Sequence, residues 1–229
     1  MMRSKLMLWG AAAIVALSST ATLASVVVVK SLGPSAKSYP PGKTLPESAK
    51  ITLQGGDVVT VLGPASAQTM RGPGNFDAKQ VTLASAAAKR GRFGALRAAE
   101  VAHNPSIWDI DLTESGKICV SNASSVQAWR PDKEAELTVK IRSADGSTQD
   151  LTWAAGKALA PWPASLPIVG GQEYQVEWPG ADMSKLDIVT VNSLPTDDLV
   201  GAAQVLIEHG CQNQLDLLVD GASKAGKGN

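Results

Sequence analysis

Ala135-Glu-Leu-Thr-Val-Lys-Ile-Arg-Ser-Ala-Asp-Gly-Ser-Thr-Gln-Asp-Leu-Thr-Trp153 is the stretch whose reading decides the fold. Leu137, Val139 and Ile141 alternate with Thr138, Lys140 and Arg142, the period of a strand with one face in a core and the other in water. Asp145-Gly146 then supplies a tight turn, and Gln149 to Trp153 returns as a second strand, so the segment reads as a β-hairpin. Glu173 to Trp178 repeats the alternation, setting Tyr174, Val176 and Trp178 against Glu173, Gln175 and Glu177. Further strands are expected at Lys117 to Val120, Val126 to Trp129 and Leu186 to Val191. Short strands at intervals of roughly ten residues predict an antiparallel β-sandwich over residues 105–192.

This region also holds Trp108, Trp129, Trp153, Trp162 and Trp178, five of the six tryptophans. Aromatic side chains of this size usually fill cores, and Trp153, Trp178 and Trp108 fit inward positions. Trp162 stands between Pro161 and Pro163, which fix the backbone and oppose regular strand pairing, so it is expected on the surface. Trp162, Trp129 and Arg130 are therefore the candidate binding residues, for a protein partner or a glycan.

Upstream, Val26 to Val29 reads as the first strand of a small β module over residues 25–76. Strands are expected at Ala49 to Gln54, Asp57 to Leu62 and Ala67 to Arg71. Gly55-Gly56 is expected to close a tight hairpin between the first two of these, and Gly72-Pro73-Gly74 to end the module. Residues 77–104 read as an alanine-rich linker with a basic knot, Lys89-Arg90-Gly91-Arg92. Downstream the period changes from 2 to 3.6, predicting a helical hairpin over 193–222. Thr196 is the expected N-cap, Leu199, Ala202, Ala203 and Leu206 the buried face of the first helix, and Gly210 its stop. Cys211, Leu215, Leu218 and Ala222 line one side of the second helix, and 223–229 reads as a disordered polar tail. The fold class expected is thus mainly β: a small β module, a sandwich-like domain and a helical hairpin that docks on the sandwich.

The N-terminus sets the compartment. Arg3 and Lys5 precede the apolar run Leu6 to Leu17 and a cluster of small residues ending at Ala24, the order of a secretory signal peptide over 1–24. The alternative is an uncleaved anchor running from Leu6 to Val29. Cleavage predicts a periplasmic or secreted chain with no stable membrane insertion. Basic and acidic residues balance at 21 each, which gives no electrostatic reason to expect nucleic acid.

Two cysteines in an exported chain are read first as a disulfide, Cys119–Cys211, stapling the helical hairpin to the sheet. The competing reading pairs Cys211 with His209 as a thiolate nucleophile. The spacing of His103, Cys119, His209 and Cys211 has one close pair only, a weak metal pattern, so no metal or cofactor is expected. Asp109 and Asp111 fall on one strand face, without a motif that selects an acid pair.

Ile107-Trp-Asp-Ile-Asp111, Gly116-Lys-Ile-Cys-Val120, Trp129-Arg-Pro131 and Pro161-Trp-Pro-Ala-Ser-Leu-Pro167 resemble a family of exported alphaproteobacterial proteins, and no activity comes with that resemblance. Leu53-Gln-Gly-Gly-Asp-Val-Val-Thr-Val-Leu62 followed by Arg71-Gly-Pro-Gly74 is loosely similar to periplasmic domains of the iron-dicitrate regulator type. That resemblance, over about 50 residues of a small module, implies signalling through protein contact. The function expected is a non-enzymatic binding or scaffolding role in the cell envelope, with an unidentified envelope protein as partner. The alternatives are a glycan- or peptidoglycan-binding module using exposed tryptophan and a thiol-dependent envelope enzyme using cysteine and histidine.

Overall fold

The chain is represented by a computed structural model that describes residues 25–82, 104–193, 195 and 197–227. The signal segment, the basic knot with His103, the expected N-cap Thr196 and the last two residues lie outside the described residues. The architecture is mainly β with two C-terminal helices, as the alternation patterns predict.

The N-terminal part contains β1 (Ser25–Leu32), β2 (Thr44–Pro46), β3 (Lys50–Leu53), β4 (Val58–Leu62), β5 (Ala67–Arg71), β6 (Gly74–Asp77) and helical residues 78–82, α1. Strands β2-β1-β4-β5 form one antiparallel sheet and β3-β6 a second, two-stranded one. Their inner faces meet in a core containing Val26, Val28, Ile51, Leu53, Val59, Val61 and Met70. The Gly55-Gly56 turn is in place, but it does not close a hairpin. β3 pairs with β6, from Lys50 opposite Asp77 to Leu53 opposite Gly74, while β4 pairs with β1 and β5. The turn therefore carries the chain from one layer to the other, placing Ile51 and Leu53 in the same core as Val59 and Val61 but on the facing sheet. Nor does Gly72-Pro73-Gly74 end the module; it turns the chain into β6.

The Trp-rich part contains β7 (Ile110–Asp111), β8 (Gly116–Val120), β9 (Gln127–Trp129), β10 (Leu137–Ser143), β11 (Thr148–Trp153), β12 (Leu159–Pro161), β13 (Glu173–Glu177) and β14 (Ser184–Thr190). A five-stranded sheet, β11-β10-β13-β14-β8, lies over a three-stranded one, β12-β9-β7. The expected hairpin is present, and its strands pair from Leu137 opposite Trp153 to Arg142 opposite Thr148. Val139, Ile141, Leu151, Trp153, Tyr174, Val176, Leu186 and Ile188 fill the core between the layers with Ile110, Ala128, Ala160 and Trp162. Most neighbours are antiparallel, as expected, but β14–β8 and β7–β9 are parallel.

Helices α2 (Leu199–His209) and α3 (Gln212–Lys227) follow. Asp198 is the N-cap of α2: its carboxylate accepts from the Val200 amide at 3.1 Å. Gly210 ends the helix in the left-handed region at φ 74°, where an L side chain would be strained. α3 continues through Lys227, so most of the tail expected to be disordered is helical. The hairpin packs against β1, β4 and β5 of the N-terminal part as well as β8 of the Trp-rich part. Their shared core joins Val27, Val29 and Leu62 to Cys119, Val191, Ala203, Leu206, Cys211 and Leu215. The docking site is thus wider than the sandwich alone. It also explains the unbroken valine run: Val26 and Val28 face one core, Val27 and Val29 the other.

Candidate functional site

The expected surface of tryptophans is absorbed into the fold. Trp162 is 9% exposed, Trp129 4% and Arg130 2%. The prolines flanking Trp162 do not remove its pairing, since its amide donates to the Val126 carbonyl at 3.1 Å. Its indole N–H donates to the Leu166 carbonyl at 2.7 Å, and its ring meets Tyr174 edge-on at 5.5 Å. The expectation that Trp162 is exposed is therefore corrected: an extended Pro-Trp-Pro segment can lay the ring inward as readily as outward, and here the uncovered core decides.

Arg130 has an equally internal role. Its Nε donates to the Lys157 carbonyl at 3.1 Å, and its Nη2 to the carbonyls of Ala135 at 2.6 Å and Ala154 at 3.3 Å. The guanidinium also lies over the Trp153 ring at 5.5 Å. The buried cation is held by carbonyl dipoles and an aromatic face, fixing the loops around the hairpin base. Trp153 in turn stacks on Trp178 at 6.0 Å and donates to the Ala128 carbonyl at 3.0 Å, tying the two layers together.

Cys119 and Cys211 are joined, with their Cα atoms 5.8 Å apart. Both are buried, and in this oxidised form neither sulfur is a free thiolate. Cys211 is thus joined to Cys119, the first of the two readings, and His209 occupies the last turn of α2. Beside the disulfide, Gln214 turns its amide onto the edge of β8. Its Oε1 accepts from the Cys119 amide at 2.7 Å, and its Nε2 donates to the Cys119 carbonyl at 3.0 Å and the Ile107 carbonyl at 2.7 Å. The side chain imitates a neighbouring strand and closes that edge, a role that periodicity cannot reveal because Gln214 reads as an ordinary helical polar residue.

Carboxylates cluster near the same junction. Burial pushes the carboxyl of Asp109 up. Burial also raises Asp111, against hydrogen bonds from Thr113. Glu114 is raised by burial and by the negative charges of Asp111 and Asp216. Among the described residues no group of three or more His, Cys, Asp or Glu side chains is arranged to hold a metal.

The two edges of the five-stranded sheet differ. β8 is closed by Gln214 and α3, whereas no described strand pairs with the outer side of β11. The Ser143 amide donates to the Ser147 carbonyl at 2.9 Å, which sets the alternation along the hairpin. Residues 149, 151 and 153 then bond toward β10, and the amides and carbonyls of Thr148, Asp150 and Thr152 face outward. These three residues are exposed, and the β10–β11 pairing runs in continuous register without a bulge.

No protein-family model matches the sequence, and neither a curated protein nor a solved structure is similar to it. The geometry alone carries the functional reading. The disulfide is compatible with an oxidising compartment, and among the described residues no helix is long and apolar enough to cross a membrane.

Proposed function

We propose that this is an exported cell-envelope protein, periplasmic or secreted after removal of residues 1–24, with a non-enzymatic binding role through protein contacts. The observation that carries the reading is the open edge of β11. Exposed edges offer unpaired amides and carbonyls to another chain, and folded proteins blunt them with charged side chains, proline, bulges or covering elements. One edge of this sheet is covered in that way; the other has no proline, no bulge and no covering element among the described residues, and Asp150 is its one charged residue, which supports strand addition as the mode of contact. The core beneath the helices, tied by the disulfide, joins both β parts and supports the same reading. The burial of Trp129 and Trp162 and the Cys119–Cys211 bond favour this reading over the glycan and thiol alternatives.

The test is site-specific photocrosslinking in the native compartment. A photoreactive residue at position 148 is expected to give a discrete protein adduct that disappears when Thr152→Pro removes an outward amide. The reading fails if position 148 gives no adduct while a probe on the opposite, helical side does.

A further inference from the structure

Resting on that reading, we infer that the segment added to β11 is an extended strand of a different protein, carrying Lys or Arg opposite Asp150 and β-branched or hydroxyl residues two positions to either side. The solvent face of the sheet supplies the argument. Asp150 lies opposite Lys140, and Lys140 lies opposite Glu177, so neighbouring strands carry acid, base and acid in one row. Arg142 reinforces the pattern with a 2.9 Å ion pair to Glu177. Oppositely charged cross-strand neighbours stabilise a sheet and like charges directly opposite destabilise it. The next position in the row is the one an added strand would occupy, beside Asp150, and a cation there continues the alternation.

The same row disfavours a second copy of this chain. Antiparallel self-pairing of β11 with fullest overlap sets Thr148 against Thr152 and Asp150 against Asp150 of the copy. Shifting the register by two residues sets Asp150 against Thr152 and relieves the repulsion, but it leaves the outward amide and carbonyl of Thr148 without a partner strand. A partner strand with a central cation has neither penalty. Threonines at the flanking positions match Thr148 and Thr152, whose side chains share the solvent face with Asp150.

The probe is a capped synthetic peptide, Val-Thr-Val-Lys-Val-Thr-Val, and its analogue with Glu in place of Lys. Each is titrated into the oxidised mature protein while backbone amide shifts and hydrogen exchange are followed. The Lys peptide is expected to bind, to slow exchange at Thr148, Asp150 and Thr152, and to bind roughly three- to tenfold more tightly than the Glu peptide. Asp150→Lys should invert that preference, and Thr152→Pro should abolish binding of both peptides while the thermal midpoint stays near wild type. Equal binding of the two peptides would overturn the cationic partner and leave strand addition standing. Absence of binding by both, or equal binding to Thr152→Pro, would overturn the inference together with the reading beneath it. A concentration-dependent dimer broken by Thr152→Pro would identify a second copy as the occupant and overturn the different partner.

Discussion

Asp57 shows how one side chain can organise a module. It is buried at the layer-changing turn, where its carboxylate accepts from the Ser35 amide at 2.9 Å and the Gln54 amide at 2.5 Å. Burial pushes its carboxyl up, but the Ser35 hydroxyl and these amides outweigh it and hold the group below the usual carboxylate range. The folded pKa is lower than the unfolded one, so the stabilisation is complete above the unfolded value of about 3.9 and disappears as pH falls through the folded value. Urea midpoints followed from roughly pH 7 to pH 2 should therefore fall in wild type, and Asp57→Asn should be less stable near neutrality with a shallower acid slope. Parallel curves for the two proteins would contradict this role. Gly72 is constrained differently: a Cβ there would sit 1.9 Å from the Gln54 carbonyl oxygen. Gly72→Ala should cost about 1–3 kcal/mol or more, read as a lowered denaturation midpoint, because backbone rather than a flexible side chain must yield. At this scale the sequence was only partly legible. Gly-Pro-Gly announced a turn, but the close approach that demands glycine at 72 depends on a strand contributed by residues 50–53.

The helical hairpin shows the same division at the level of elements. Leu199, Ala202, Ala203 and Leu206, and then Cys211, Leu215, Leu218 and Ala222, lie on the buried faces that their spacing predicts. The N-cap is Asp198 rather than a residue further upstream, since a carboxylate two residues before an amide at the first turn accepts from it directly. The disulfide and Gln214 fasten this element to β8. Replacing both cysteines by alanine should cost about 2–5 kcal/mol, measured by denaturant unfolding, with wild type showing no free thiol before reduction. Gln214→Ala should cost roughly 1–3 kcal/mol, because the amide and carbonyl of buried Cys119 both lose their partner. A change below the error of the measurement would mean that water replaces the glutamine without loss. The pairing of Cys119 with Cys211 was readable from compartment logic and cysteine count. The strand-like role of Gln214 was not, because nothing in a helical sequence marks which polar residue meets a sheet edge.

Across the whole molecule, the core beneath the helices joins both β parts, so they are expected to unfold together. Calorimetry of the oxidised protein should give one cooperative transition, and the reduced or double-alanine protein a broadened or split one in which the weakened hairpin no longer couples them. Two separate transitions in the oxidised protein would show that the shared core does not couple the two parts. The sequence by itself determined the mainly β character, the hairpin over residues 135–153, the inward faces of most strands and of the helices, and the cysteine pair. Each follows from local periodicity, turn chemistry or compartment. Tertiary structure alone decided that β3 pairs with β6, that β14–β8 and β7–β9 are parallel, that both faces of β1 are covered, and that Trp162 lies inside. Periodicity tells which way a side chain points, while the neighbour it meets is supplied by a distant segment competing to cover the same apolar surface. The open edge of β11 belongs with these last features, because a strand's alternation carries no mark of whether another strand lies beside it.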